Sequence, residues 1–505
     1  MILINRRIKG DNEMKKGLKG VLLLILLCLS IFMPAEHVSA EDGAALQRVQ
    51  DAGVLRVATS ADFPPFEFYA TVDGERQIVG MDIFIAEKIA EDLGVELDVQ
   101  DLGFDSLLPA LEAHNVDIVL AGMTPTPERR KSVDFSDIYY QTFQNVMIRT
   151  EDQEVYTSLE SLSGQRIGVQ SGSLQEELVN QIEDPEVMTL TDLNDLLLAL
   201  KTNRLDAVIM QGPNAEAHAA QDDTLYTFEG GFELEEEDRG SAIAFRPGDD
   251  SLVEAINESL AEIEEQNLTD DYLAQAGEFM LASELDENGE EVDEGFVSSY
   301  WEYFIDGTLI TLLISAVSVF FGMILGTILS FMRLSNNFIL KFLGSAYVEF
   351  VRGTPMMIQV MFIYFASGLV FNLPALTSGI IAVSLNSGAY ICEIIRSGLK
   401  SVDKGQAEAA RSLGMSKGNA MRYIIFPQAL KNIWPALGNE FITIIKESSI
   451  VSVIGVGELI FQTRVVRSIS FQGILPLFVT MLIYFALTFS LTKLLNFYEG
   501  KMNHD

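Results

Sequence analysis

Residues 407–430 read AEAARSLGMSKGNAMRYIIFPQAL. The alanines around Glu408 favour a short helix, Gly414 favours a turn, and the run to Ile425 favours a second helix that the proline at 427 should stop. This basic knob lies between long apolar stretches. Tyr303–Met332, Met356–Phe371 and Ala375–Ile395 precede it, and Trp434–Leu459 and Ile474–Leu495 follow. Each approaches or exceeds the about 20 residues of a spanning helix, once the second is extended back to Tyr347. Residues 301–505 are therefore expected to form an all-α block of five spans. With its start outside, the inside segments 333–352, 396–431 and 493–505 hold 3, 7 and 2 Lys/Arg. The outside loop 461–473 holds only Arg464 and Arg467. That bias satisfies the positive-inside rule and places the C-terminus in the cytoplasm. Gly322 and Gly326, four apart, suit close packing against a neighbouring helix.

The remainder of the chain is of another kind. A length of 505 residues implies two or more domains. The 34 Lys+Arg against 72 Asp+Glu divide unevenly: residues 1–40 carry net +3, 41–300 net −45, and 301–505 net +4. Such acidity excludes nucleic acid as a partner, and 48% hydrophobic residues exclude a disordered acidic chain. Lys15, Lys16 and Lys19 precede the apolar run 21–32, and Val38-Ser39-Ala40 follows. These parts predict a signal peptide over 1–40, a retained anchor being the alternative. Leu27 stands before Cys28 where a lipoprotein signal requires a small residue. The other cysteine, Cys392, lies in the membrane block, so the exported block has no disulfide.

Over residues 41–283, short apolar strands alternate with helical patterns. Val54–Ala58, Asp117–Leu120, Arg166–Val169 and Asp206–Ile209 read as strands; Ile83–Leu93 and Leu193–Leu200 read as helices. The class is α/β, with ligands expected beyond the carboxyl ends of the strands. Three strand ends carry chemistry. In 58-ATSADFPPFEF-68, Phe63 and Phe66 offer either an apolar wall or a packed turn. In 121-AGMTPTPERR-130, Ala121, Gly122 and Thr124 allow close backbone approach, and Arg129 is either a surface charge or a two-pronged carboxylate grip. In 168-GVQSGSLQEEL-178, Ser171 to Ser173 open a helix that could hold an anion.

With DFPPFEF, VGMDIFIAEKIAEDLG, DSLLPALEAHNVDIVLAGMTPTPERRKSVDFSDIYY and RIGVQSGS, this block resembles the extracytoplasmic binding proteins for polar amino acids, of the histidine, glutamine and arginine type. The resemblance implies a type II periplasmic-binding-protein clamshell, with lobe 1 at about 45–143 and 245–280 and lobe 2 at about 146–240. The hinge crossings fall near Phe143–Ile148 and Ser241–Arg246. It implies that Phe63 and Phe104 sandwich the ligand side chain. It also implies that Gly122, Thr124 and Arg129 hold the α-carboxylate with Ser173 from lobe 2, and that Ala121 and Gln170 complete the site. Ser60 and Gln211 stand where many members have acids. With no carboxylate evident near the side-chain slot, a neutral or polar amino acid is the expected ligand.

Glu408-Ala409-Ala410, Gly414 and, nine residues on, Ile424 with Phe426-Pro427 resemble the coupling loop of ABC importer permeases, over 403–427. RGTP at 352 and NEFITIIKESS at 439 are similar to the amino-acid subfamily. The resemblance implies that the knob docks on a cytoplasmic ATPase, and that a homodimer completes the pathway. No GxxxxGK[ST] phosphate loop occurs, so the chain holds no nucleotide cofactor of its own and ATP is used by a partner subunit. Glu440 and Glu447, seven apart, share a helical face and either line the pathway or, for Glu447, mark the membrane boundary. Residues 284–300 begin as ELDENGEEVDEG, an acidic linker without calcium-loop spacing. The expected function is a fused receptor and permease for ATP-driven amino-acid import. A glutamate-receptor-type channel is the alternative, although its pore would interrupt the lobes. A clamshell enzyme would need an acid/base pair that the strand ends do not supply.

Overall fold

The computed structural model describes residues 44–72, 75–234, 239–282, 296–370, 372–470 and 472–504. The signal-peptide and acidic-linker expectations lie outside the described residues, apart from the linker's last five positions. Strands β1 (Val54–Thr59), β5 (Glu96–Asp101) and β6 (Ile118–Val119) run parallel, in a sheet of order β5-β1-β6-β13-β7. Strands β7 (Asp134–Gln141) and β13 (Gly240–Phe245) join it antiparallel. A second sheet, β10-β9-β11-β8-β12, is built from β8 (Gln144–Arg149), β9 (Arg166–Gln170), β10 (Glu186–Leu190), β11 (Ala207–Gln211) and β12 (Leu225–Glu229). A small antiparallel sheet of β2 (Asp62–Phe63), β3 (Glu67–Val72) and β4 (Glu75–Val79) flanks the first.

Helices cover both faces of the first sheet, as its apolar parallel strands require. On one face α1 (Ala44–Ala52), α2 (Met81–Leu93) and α7 (Asp250–Glu265) bury Ile85, Ile89, Leu252 and Ile256 against Val57, Ile118 and Phe245. On the other, α3 (Leu107–Glu112) packs Leu107 and Leu111 on Val119 and Ala244. The second sheet receives α5 (Leu193–Lys201) through Leu196 and Leu200, with α4 (Gln175–Leu178) and α6 (Gly212–Gln221) at its strand ends. Helix α8 (Leu268–Ala282) closes the receptor part by packing Ala276 and Met280 on the small sheet. The chain changes sheet at Thr142–Phe143, between β7 and β8, and again between β12 and β13. The crossings expected near Phe143–Ile148 and Ser241–Arg246 lie at or just before those stretches, which are mostly β8 and β13; β13 pairs with β7 through an irregular register.

The second part is helical throughout its described residues. Helices α9 (Phe296–Leu334), α10 (Phe338–Arg352), α11 (Met356–Gly368) and α12 (Ala375–Ser401) lead into α13 (Lys404–Ser412) and α14 (Lys417–Ala420). Then come α15 (Phe426–Glu447), α16 (Leu459–Ser470) and α17 (Ile474–His504). Among the described residues, three helices are long and apolar enough to cross a membrane by length and composition: Phe296–Leu334, Ala375–Ser401 and Ile474–Gly500. Two expected spans are corrected. The second does not reach back to Tyr347, because Gly353, Thr354 and Pro355 divide α10 from α11; proline disfavours a helical residue before it and has no N–H. The fourth is not one helix, because α15 ends at Glu447, a 3₁₀ stretch runs Ser448–Ile454, and Gly455 turns at φ +76°.

Candidate functional site

The cleft between the two sheets is lined by residues from the carboxyl ends of β1, β6, β9 and β11. Ser60, Phe63, Phe104, Ala121, Gly122, Thr124, Arg129, Gln170, Ser173 and Gln211 all stand on it. Asp62, Glu67, Leu174 and Gln175, which sequence reasoning did not name, stand there too.

Gly122 shows why the site needs its residue types. It sits at φ +53°, its N–H donates to Asp82 Oδ2 at 2.8 Å, and a Cβ there would lie 2.9 Å from the Phe63 ring. Only glycine admits that ring. Arg129 opens a short 3₁₀ turn, Arg129–Lys131, rather than a full helix. Its guanidinium donates to Thr124 O at 2.6 Å and to Gly172 O of the second lobe at 2.7 Å, and lies 5.4 Å from the Phe104 ring centre. Burial lowers its pKa to about 10, so it stays cationic at neutral pH. Gln211 donates through Nε2 to Gly122 O at 2.7 Å, while its buried Oε1 has no hydrogen-bond partner. An acceptor left open on a cleft wall suits an N–H donor on a ligand. Ser173 Oγ already donates to Gln170 O at 2.7 Å, and α4 behind it has only four residues, so the expected helix-end anion site is reduced to that hydroxyl.

The expectation that no carboxylate approaches the side-chain slot is overturned. Asp62 follows Ser60 at a spacing of two and accepts from its Oγ at 2.9 Å. The other Asp62 oxygen accepts the Leu193 N–H of the second lobe at 3.0 Å. Burial and then Asp192 push Asp62 up to about 7. Burial, then the neighbouring Asp82, hold Glu67 well above the usual carboxylate range. Burial lifts Asp82 itself to about 6. Bonds from Arg129, Gln211, Leu193 and Asn214 (to Pro64 O, 2.6 Å) all cross between lobes, so the clamshell is closed.

In the helical part, Glu408 and Ala409 are exposed on α13, Ala410 is buried, and Gly414 caps the helix at φ +85°. Leu413 beside them is 85% exposed. The proline at 427 does not stop the following helix as expected. Residues Met421–Ile425 widen into a π-turn and α15 continues, because the wider turn accommodates the missing N–H and the ring. Glu440 is partly buried on α15, and Glu447 is exposed at its last residue.

Comparison with known proteins agrees with this division. Residues 55–275 match the model of bacterial extracellular solute-binding proteins, family 3, and residues 318–504 match that of binding-protein-dependent transport system inner membrane components. The chain is 39% identical to an arginine-binding extracellular protein of Bacillus subtilis, over 49% of this chain and 93% of that one. It is 38% identical to a putative glutamine transport system permease protein of Rickettsia felis, over 40% of this chain and 93% of that one. An arginine transport system permease protein of Bacillus subtilis is 39% identical over 40% of this chain and 92% of its own. A closed two-lobed receptor and a helical membrane unit, each with its own relatives, occupy one polypeptide: the chain belongs to the amino-acid ABC importers, as a fused binding protein and permease.

Proposed function

We propose that residues 41–283 capture a cationic amino acid of the arginine type, and that residues 301–505, joined by the acidic segment 284–300, pass it inward. The observation that carries this reading is Asp62 on the wall of the slot, together with Glu67. The arginine-binding relative supports it. In this reading Arg129, Thr124 and Gly122 hold the α-carboxylate, the open Gln211 Oε1 accepts from the α-ammonium, and Phe63 and Phe104 flank the chain leading to Asp62. Gln211 lacks the charge of an acid, so the ammonium bond is weaker than a charged pair. Glutamine is the second candidate, because the permease relatives include glutamine systems.

The coupling residues Glu408, Ala409, Ala410 and Gly414, with exposed Leu413, are the surface that an ATPase subunit would grip, on the cytoplasmic side with the C-terminus. Two copies of the chain would complete the pathway, with Glu440 and Glu447 of α15 along it. A ligand-gated channel is not favoured, because the membrane half matches a transport component. The deciding experiment is ATP-dependent uptake of labelled arginine by the chain reconstituted with its ATPase. Uptake of glutamine but not arginine would reassign the ligand, and ion current without ATP would sink the importer. Glu440→Gln is expected to lower uptake several-fold while leaving arginine binding by the full chain intact; unchanged uptake removes Glu440 from the pathway.

A further inference from the structure

Two acids at the cleft wall keep oxygens that no donor reaches. Glu67 lines the cleft and is fully buried, and neither of its carboxyl oxygens has a hydrogen-bond donor among the described residues. Asp82, in the first turn of α2, is equally buried, and its Oδ1 is likewise unserved. Backbone holds the two side by side: the Asp82 N–H donates to Phe66 O, next to Glu67, at 2.9 Å, and the two carboxyls lie within hydrogen-bonding reach. Asp82 Oδ2 is fully used. It accepts the Gly122 N–H at 2.8 Å and the Tyr139 hydroxyl at 2.7 Å.

Two touching carboxylates inside a protein do not both ionise, and an unpaired buried charge is costly. As anions both would be acceptors only. One proton between them turns the contact into a charge-assisted hydrogen bond and serves Glu67 and Asp82 Oδ1 together. The donors decide where that proton rests. Gly122 and Tyr139 favour the ionised form of Asp82, and no comparable donor serves Glu67, so the proton stays on Glu67. The titratable groups facing Glu67 are Asp82, Asp62 and Asp101, and Tyr139 of β7 faces both members of the pair. Burial first, then Asp82, holds Glu67 toward its neutral form, in the same direction as the geometry.

The charge left on Asp82 has structural work on both sides. Through Gly122 it fixes the backbone under the Phe63 ring, whose carbonyl accepts Gln211 of the second lobe at 2.7 Å. Through Tyr139 it fixes β7, the strand that leads into the crossing at Thr142–Phe143. We propose that Glu67 and Asp82 share one proton, held on Glu67, and act as a positioning pair: Asp82 anchors Gly122 and Tyr139, Glu67 shows the cleft a neutral acid, and Asp62 is the acid that meets the ligand's cation. The slot then offers one full negative charge, which matches a singly charged side chain.

The inference deepens the cationic-ligand reading and rests on it, and the test separates the two. Infrared spectroscopy of the full chain in nanodiscs needs no ligand. At neutral pH, the unaltered chain minus Glu67→Gln should show the carbonyl stretch of a protonated carboxylic acid; its absence overturns the pair. Calorimetry with L-arginine tests the division of roles. Glu67→Ala, which leaves Asp82 Oδ1 unpaired, should weaken binding roughly tenfold, and thermal unfolding checks its fold. Glu67→Gln should recover most of that loss, because its amide still donates to Asp82. Glu67→Gln binding as weakly as Glu67→Ala overturns the proposal. Below the Asp62 midpoint of about 7, arginine binding should release a proton, read from the dependence of the heat on the buffer. Asp62→Asn should abolish that release and Glu67→Gln should keep it; the reverse pattern assigns the ligand's cation to Glu67 and overturns the proposal. If L-arginine does not bind the unaltered chain, the cationic-ligand reading falls, and the infrared band still decides the shared proton.

Discussion

Arg129 spends its donors on two backbone carbonyls, one from each lobe, in the closed cleft. A ligand carboxylate would exchange those neutral acceptors for a charged one, and such bonds are worth about 1.5–3 kcal/mol each. Arg129→Gln is therefore expected to weaken amino-acid binding roughly ten- to hundredfold, read by calorimetry on the full chain in nanodiscs. Asp62 supplies a pH signature. Its pKa lies at about 7 in the closed receptor, above the ordinary carboxylate value, chiefly through burial. A raised acid contributes most to stability below the ordinary carboxylate range, and that contribution is lost as pH rises through about 7. A cationic ligand needs the ionised form. Arginine affinity should accordingly rise as pH climbs through about 7 and level off once Asp62 is fully ionised, while Asp62→Asn flattens the profile. A flat profile in the unaltered chain would remove Asp62 from the ligand's contacts.

At the scale of elements, the permease is held by helices that approach through small residues. Gly326 of α9 faces α12 so closely that a Cβ would lie 2.8 Å from Gly388 O and 2.9 Å from Cys392 N. Backbone cannot give way as a side chain can. Gly326→Val is expected to destabilise the permease by about 1–3 kcal/mol or more, visible as a lower unfolding temperature. The glycine spacing was legible in the sequence, whereas its neighbour was not, because spacing names a face and not what covers it. The α13–α14 knob follows the same logic. Its helix, glycine cap and second helix were readable from residue types, and its exposed apolar tip came only with the structure. Leu413→Glu should abolish co-purification of the ATPase while substrate binding persists; retained co-purification would move the docking surface elsewhere. Hydropathy does not reveal the breaks at Pro355 and Gly455, because it averages across a turn that one residue enforces.

For the whole molecule, the acid excess of residues 41–300 and the small basic excess of residues 301–505 fall on two structurally distinct parts of the chain. The two blocks nonetheless meet through pairs such as Arg467–Asp195, in which the guanidinium is buried and the carboxylate half-exposed. Tyr423, Phe426, Leu430 and Trp434 leave an exposed apolar row along one side of α15 and the π-turn before it. If two copies complete the pathway, light scattering in nanodiscs should give twice the chain mass, and a single-chain mass with full uptake would refute the dimer. The sequence by itself determined the α/β receptor and the helical membrane block, because period and turn residues are local properties, and its resemblance to polar amino-acid binding proteins pointed to ten positions that line the cleft. Only the tertiary structure decided that Asp62 and Glu67 join the cleft, that Glu67 meets Asp82, and where the apolar stretches break. Those facts depend on residues far apart in the chain meeting in space, or on single backbone conformations, and neither is carried by pattern alone.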